Sequence, residues 1–317
     1  MQDIPVIDLS QPDPVCAAAI AAACERIGFY AVARHGIATS LIDALQAASG
    51  AFFDLPLEEK SRVARPRPDQ NRGFIGRGEE TLARLGGRQT PPDDKEVFTI
   101  GPIDAGADPY FTCAEAYPHF APNLWPARPA ELRGLMEEYW RAATDLARRL
   151  LRLSAIALDL PADRFEAITR RHISMLRLID YPARSSPPAP GQLRAGEHTD
   201  LNMLTLLVSD TDVGGVEARR RDGAWIPVPL ASGLIAVNIG DVLMRWTNDR
   251  WISTPHRVAN APAGLAVRRR SVAFFFQAEY DAELACLPSC VSPDNPARYD
   301  ATTIGAYRAS RFAATAG

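Results

Sequence analysis

The spacing of apolar residues changes near residue 172, and no other feature limits the possible folds as much. Ahead of that point Leu132, Leu135, Met136, Tyr139, Trp140, Ala143, Leu146, Leu150 and Leu153 recur every three or four positions, which predicts one long helix over 129–158. Beyond it the period falls to two. Short strands are expected at 173–182, 201–208, 214–219, 224–228, 234–238, 241–246, 255–259 and 269–277. Turns are expected at Gly214-Gly215, Asp222-Gly223, Gly240 and Asn248-Asp249, with positive φ at Gly214, Gly215 and Gly240. Eight short strands at this interval suggest a double-sheet jelly roll.

His198 and Asp200 sit two apart at the start of the alternating run HTDLNMLTLL, so on a strand both side chains leave the same face. His256 stands in another short extended segment. Two imidazoles and one carboxylate can occupy three vertices of an octahedron, the facial arrangement that holds non-haem Fe(II) and leaves three positions open. The plainer reading makes Asp200 a turn residue and the histidines core polar groups. It leaves three convergent polar side chains inside an apolar sheet, where unpaired burial is costly.

The first half of the chain reads as mixed α/β. A strand is expected at 4–9, then a helix to about Arg26 with Asp13 as N-cap and Pro14 in its first turn. A strand at 28–36 ends in a Gly turn, Thr39 caps a helix to about Phe53, and a short helix starts at Pro56. Residues 62–92, rich in Gly, Pro and Arg, are either a solvated connector or a lid over a site. A second helix is expected at 162–170 and a proline-rich loop at 185–192. His35, His119 and His172 lack a carboxylate or second histidine at ligand spacing and read as structural. Trp225, Trp246 and Trp251 suit sheet packing, and Asn238 and Asp241 suit turn backbone.

Four segments together carry a likeness: HTDLNMLTLL, GGVEARRRDGAWIPV, VNIGDVLMRWTNDRWISTPHRV and RRRSVAFFF. They resemble the isopenicillin N synthase-like branch of the 2-oxoglutarate/Fe(II)-dependent dioxygenases. GFYAVARHGI resembles the opening of that family's N-terminal region, and the resemblance spans roughly residues 4–312. It implies a fold that is mainly β with α: a double-stranded β-helix (jelly roll) core backed by helices, with an N-terminal α/β region. The divisions expected are an N-terminal non-haem dioxygenase region at 1–125, long supporting helices at 126–171, a jelly-roll Fe(II)/2-oxoglutarate oxygenase core at 172–280 and a C-terminal helical tail at 281–317.

The resemblance also implies a site. His198, Asp200 and His256 would hold Fe(II), and Arg269 and Ser271, two apart on one strand, would bind the distal carboxylate of 2-oxoglutarate. Arginine suits that task through its bidentate fork. Tyr181 matches a tyrosine whose hydroxyl reaches the same carboxylate; its alternative is a buried core ring. Related halogenases have a small residue in place of Asp200, so the carboxylate argues for oxygenation. Alternation along 173–181 puts Met175, Arg177, Ile179 and Tyr181 on one face. Arg177 is then expected either to pair an acidic group on the substrate or to make a structural salt bridge to an acid of the chain such as Glu197 or Glu279. Asn202 either orients a ligand or makes a turn hydrogen bond. The implied activity is oxidation of a small molecule, by default hydroxylation, with O2 consumed and succinate and CO2 released. A family member that does not consume 2-oxoglutarate, a zinc hydrolase and a metal-free binding module are the alternatives.

Composition bears on partners. A net charge of −3 gives no reason to expect nucleic acid or an anionic membrane. Only Lys60 and Lys95 are lysines, against 33 arginines, a bias of composition rather than a phosphate-binding surface. The five cysteines are scattered without zinc-like pairing, and the start MQDIPVIDLS carries no basic leader, which together suggest a soluble cytoplasmic protein.

Overall fold

The computed structural model describes residues 4–313 apart from 68, 69, 118, 185, 212, 214 and 263–265. Strand β1 (Val6–Asp8) runs parallel to β2 (Phe29–Ala33), and helix α1 (Asp13–Arg26) bridges them. The helix starts at Asp13, preceded by Pro12, so Asp13 lies inside the first turn and makes no capping bond. Thr39 is likewise the first residue of α2 (Thr39–Phe53) rather than its cap. A short α3 (Leu57–Ser61) follows Pro56, whose fixed φ suits a helix start.

Strands β3 (Gly73–Ile75) and β4 (Glu96–Ile100) pair antiparallel, and α4 (Pro109–Thr112) follows. The long helix α5 (Leu132–Ala157) matches the apolar stripe. Residues 162–170 form no helix. Bonds from Arg164 to Pro161, Glu166 to Asp163 and Thr169 to Glu166 span three residues each, so the segment is a chain of turns.

The core strands are β5 (Met175–Tyr181), β6 (Ala195–His198), β7 (Leu204–Ser209), β8 (Val216–Arg219), β9 (Trp225–Pro227), β10 (Ile235–Ile239), β11 (His256–Val258) and β12 (Arg269–Phe276). Between β10 and β11 lies α6 (Asp241–Trp246), where a strand was expected. Val242, Leu243 and Trp246 are its buried apolar residues, and that spacing belongs to a helical face. The chain ends in a small hairpin, β13 (Glu283–Leu284) with β14 (Thr302–Thr303), and helix α7 (Ile304–Ala313).

Two sheets result. The larger has the order β1-β2-β10-β7-β12-β5-β4-β3, and the smaller β6-β11-β8-β9. The N-terminal strands therefore extend both edges of the larger jelly-roll sheet. Helix α5 covers its outer face, with Trp140 edge-on to Phe274 at 5.1 Å and stacked on His172 at 5.6 Å. No described helix is long and apolar enough to cross a membrane.

One turn expectation changes. Gly240 has φ −101°, outside the left-handed region; it is needed for space, since a Cβ there would lie 2.2 Å from the Asn202 carbonyl oxygen. Gly214 lies outside the described residues, and the expectation for the Gly214-Gly215 turn lies there with it. Gly223, Asn248 and Asp249 do take positive φ. Trp225 packs beneath the Arg257 guanidinium, while Trp246 sits on α6 and stacks on Phe165. Trp140 joins helix to sheet, so Trp140→Ala is expected to lower stability by about 3–5 kcal/mol. A urea midpoint equal to that of the unmodified protein would show that α5 is not held there.

Candidate active site

The three candidate ligands converge from two sheet strands and a loop. Strand β6 ends at His198, and Asp200 lies in the loop after it, so the pair does not share one strand as expected. His256 opens β11 and sits directly across from His198 in the antiparallel register. Their ligand atoms, with those of Asp200, all lie within 4.8 Å of one another. The Asp200 carboxylate is 3.8 Å from each Nε2, too far for a hydrogen bond.

Each histidine is turned by its backbone partner. His198 Nδ1 donates to the Gly196 carbonyl at 2.7 Å, and His256 Nδ1 to the Thr254 carbonyl at 3.1 Å. With the proton on Nδ1, the Nε2 lone pair faces the shared centre. Burial pushes His198 down to about 4, and His256 beside it adds to the effect, so its ring is neutral near pH 7. Burial alone would raise Asp200, but the two imidazoles and its hydrogen bonds hold it below the ordinary carboxylate value. Asn238 Nδ2 and Thr205 Oγ1 both donate to Oδ2, at 2.8 and 2.5 Å. Asn202 Nδ2 donates in turn to Thr205 Oγ1 at 3.0 Å and to the Leu204 carbonyl at 2.9 Å. This leaves Oδ1 for a metal. Asn238 thus serves Asp200 rather than turn backbone.

Arg269, Ser271, Ala273 and Phe275 of β12 line the same cavity, as do Met175, Arg177, Ile179 and Tyr181 of β5. The Arg269 guanidinium is wholly buried, 5.1 Å from the centre of the Tyr181 ring. Its Nη1 reaches Ser271 Oγ at 3.4 Å, while Nε and Nη2 have no partner among the described residues. Burial lowers its pKa. A buried cation with open donors is unfavourable unless an anion completes it. Its chain neighbours face outward: Arg270 of β12 pairs with Asp210, and Arg268, just before the strand, with Asp180 and Asp54.

Arg177 meets neither Glu197 nor Glu279. Its partner is Glu80, 3.1 Å away, and Lys95 holds the same carboxylate at 2.9 Å. Burial opposes ionisation of Glu80, yet Arg177 and Lys95 hold it well below the carboxylate range. Glu197 instead pairs with Arg88 and Arg219, and Glu279 with Arg171. Glu80, Asn71, Leu82 and Leu85 bring the 62–92 segment to the cavity as a wall; Pro68 and Asp69 lie outside the described residues. Arg308 of α7 completes the lining. The remaining histidines stand apart. His35 Nδ1 accepts from the Ile37 amide, His119 stacks on Tyr280, and His172 bonds Ser174.

Residues 4–128 match the family described as non-haem dioxygenase in morphine synthesis N-terminal, and residues 172–278 match the 2OG-Fe(II) oxygenase superfamily. Homoarginine-6-hydroxylase of rice (Oryza sativa subsp. japonica) is 34% identical over 271 residues, covering 84% of this chain and 79% of its own length. The chain belongs to the 2-oxoglutarate/Fe(II)-dependent dioxygenases, in the isopenicillin N synthase-like family. The proline hydroxylase buaE of Petromyces alliaceus is also similar to this dioxygenase, 34% identical over 93% of this chain and 91% of its own. A full-length Neurospora crassa protein, solved in complex with alpha-KG, superposes with a TM-score of 0.85 at 29% identity, over 98% of this chain and 96% of that one. The dioxygenase is an oxidoreductase that uses Fe(II), 2-oxoglutarate and O2. Its donor set fits: two imidazoles and a carboxylate with one free oxygen suit Fe(II), and Arg269 suits a carboxylate.

Sequence reasoning gave no site role to Thr205, Glu80, Lys95 or Arg308, and it read Asn238 as turn backbone. Alternation gave a usable signal for Asn238, which shares a face of β10 with Ala236 in the cavity wall. Thr205→Val keeps the shape of the side chain but removes its bond to Asp200. Fe(II) affinity is expected to fall about 10- to 100-fold, read by anaerobic titration. Unchanged affinity would mean that Asn238 alone orients the carboxylate.

Proposed function

We propose that this dioxygenase hydroxylates an unactivated C–H bond of a small organic acid, in the cytoplasm. With 2-oxoglutarate and O2, bound Fe(II) supplies the oxidising power for such a bond, 2-oxoglutarate leaving as succinate and CO2. His198, Asp200 and His256 are the residues assigned to iron. Arg269, with Ser271 and Tyr181, is assigned to the distal carboxylate of 2-oxoglutarate, supported by its open, buried donors. The five cysteines are free thiols, which favours a reducing compartment.

The observation that carries the acid is charge. Outside the triad, the described cavity wall presents Lys95, Arg177, Arg269 and Arg308 against Glu80 alone. With Arg269 given to the co-substrate, three cations and one acid face the primary substrate. Arg177 and Tyr181 lie four positions apart on β5, about 13 Å along the strand. A second carboxylate seat at Arg177 is therefore distinct from the first. Two relatives are named for amino-acid substrates, homoarginine and proline, each of which carries a carboxylate. Asn202 lines the same cavity; its Nδ2 is engaged with Thr205 and Leu204, which favours a part in orienting Asp200, while its Oδ1 has no partner among the described residues.

Removing one partner of a buried charge pair costs about 2–5 kcal/mol, or roughly 1.5 to 3.5 decades of affinity. Arg269→Leu is expected to raise the 2-oxoglutarate requirement by that order with metal content unchanged; an unchanged requirement sinks the co-substrate seat. The substrate seat is read by succinate released above the substrate-free background, on small carboxylic acids and their neutral amides. Acids are expected to stimulate and amides not, with Arg177→Met raising the KM for the acid and leaving that for 2-oxoglutarate. Loss of thermal stability with the acid's KM intact would make Arg177 purely structural.

A further inference from the structure

Asp241 is buried, at 5% exposure, and no part of the chemistry above uses it. Its carboxylate touches the chain around every iron ligand. Oδ2 accepts from Thr199 Oγ1 at 3.4 Å, and Thr199 is the residue between His198 and Asp200. The Asp241 amide donates to the Asp200 carbonyl at 2.8 Å. Oδ1 accepts from Ser253 Oγ at 2.6 Å, and Ser253 precedes Thr254, whose carbonyl seats His256 Nδ1. A fourth bond comes from elsewhere: Tyr307 on α7 donates its hydroxyl to Oδ2 at 2.9 Å.

We propose that Asp241 is a positioning residue for the whole triad, and that Tyr307 makes the C-terminal helix part of the iron site. The proposal rests on His198, Asp200 and His256 being the ligands. One acid fixes two chain segments that no strand pairing joins: the 199–203 loop and the 252–255 stretch. Gly240 allows this closeness, because a Cβ there would also lie 2.8 Å from the Asp200 carbonyl oxygen. Tyr307 holds one edge of the carboxylate while Ser253 holds the other, so the group cannot rotate to serve only one ligand segment. The same helix carries Arg308 into the cavity and, through Arg311, bonds the Leu85 carbonyl at 2.8 Å on the opposite wall. A helix that closes the substrate side is thereby tied to the metal side.

The test uses the full chain, purified without metal and titrated anaerobically with Fe(II), with Co(II) as a spectroscopic probe of coordination geometry. Tyr307→Phe is expected to weaken both metals about threefold to tenfold, and Asp241→Asn about tenfold or more, a remove further out than a group bonded directly to a ligand. Both should alter the visible Co(II) spectrum. Tyr110→Phe makes the same chemical change at another tyrosine–aspartate bond, to Asp281, and should leave affinity and spectrum as they were. His256→Ala is the reference for the ligand set. If it retains full affinity, the triad assignment itself fails. If it loses metal while Tyr307→Phe and Asp241→Asn keep the unmodified affinity and Co(II) spectrum, the positioning role is overturned, whatever happens to the melting temperature. Should Asp241→Asn not fold, Tyr307→Phe and Ser253→Ala decide the matter by the same two readouts.

Discussion

The antiparallel register of β6 on β11 puts His198 directly opposite His256, and the iron site follows from that pairing. Cross-strand partners hold their Cβ atoms about 4.5–5.5 Å apart, and here the two ring centres lie 4.4 Å apart. A slip of one residue would send one imidazole to the other face of the sheet. The pairing is itself irregular. From His256 to Val258 β11 advances two residues, while β6 goes from His198 back to Ala195, three residues, so β6 carries a bulge. Residues three apart on a regular strand face opposite ways. With the bulge, Ala195 and His198 both line the cavity. The distortion aims the ligand.

Around this pair the cavity separates two kinds of charge. The Arg269 guanidinium is buried with open donors, and nothing in the described chain neutralises it at contact distance. Arg177 is instead already ion-paired, sharing Glu80 with Lys95, which also binds Asp93 at 3.0 Å, and only its Nε is without a partner among the described residues. The first arrangement is completed by an anion from solution. The second is already folded, and its charges set the potential felt by whatever enters beside it. Both lysines of the chain are buried in such pairs, Lys60 with Glu96 and Lys95 with Glu80 and Asp93.

What the sequence revealed and what it concealed divide along physical lines. The roles assigned to Tyr181, Arg269 and Ser271 came from the family resemblance. Period-two alternation, however, is a local property, so the shared face of Arg177 and Tyr181 on β5 and that of Arg269 and Ser271 on β12 could be read directly. The long helix was legible for the same reason. Strand β6 was not: AGEH is four residues long, bulged and without alternation. Nor was α6, whose single turn has too few residues to show a period against a background of strands. The Glu80–Arg177 contact joins residues 97 positions apart, and no local pattern reports such a distance. Asn238 and Asp241 looked like turn residues because their partners, Asp200, Ser253 and Tyr307, come together only in the folded chain.

The N-terminal segment is also part of the iron site mechanically. Asp93 accepts hydrogen bonds from the Leu82 amide, from Lys95 and, at 2.9 Å, from the Gly196 amide. Gly196 is the residue whose carbonyl seats His198 Nδ1. A Cβ at Gly196 would lie 2.9 Å from that of Ala83, so only glycine lets the 82–86 turn rest against β6. Through one aspartate, the wall that carries the substrate-side charges and the strand that carries an iron ligand share a joint. Lys95 is linked to the His198 ring through three hydrogen bonds, Lys95 to Asp93, Gly196 to Asp93 and His198 to Gly196, and Glu80 joins the path through its ion pair with Lys95. The Asp93 carboxylate is what joins them: one oxygen takes Lys95 on the cavity wall, and the other takes the backbone that seats His198.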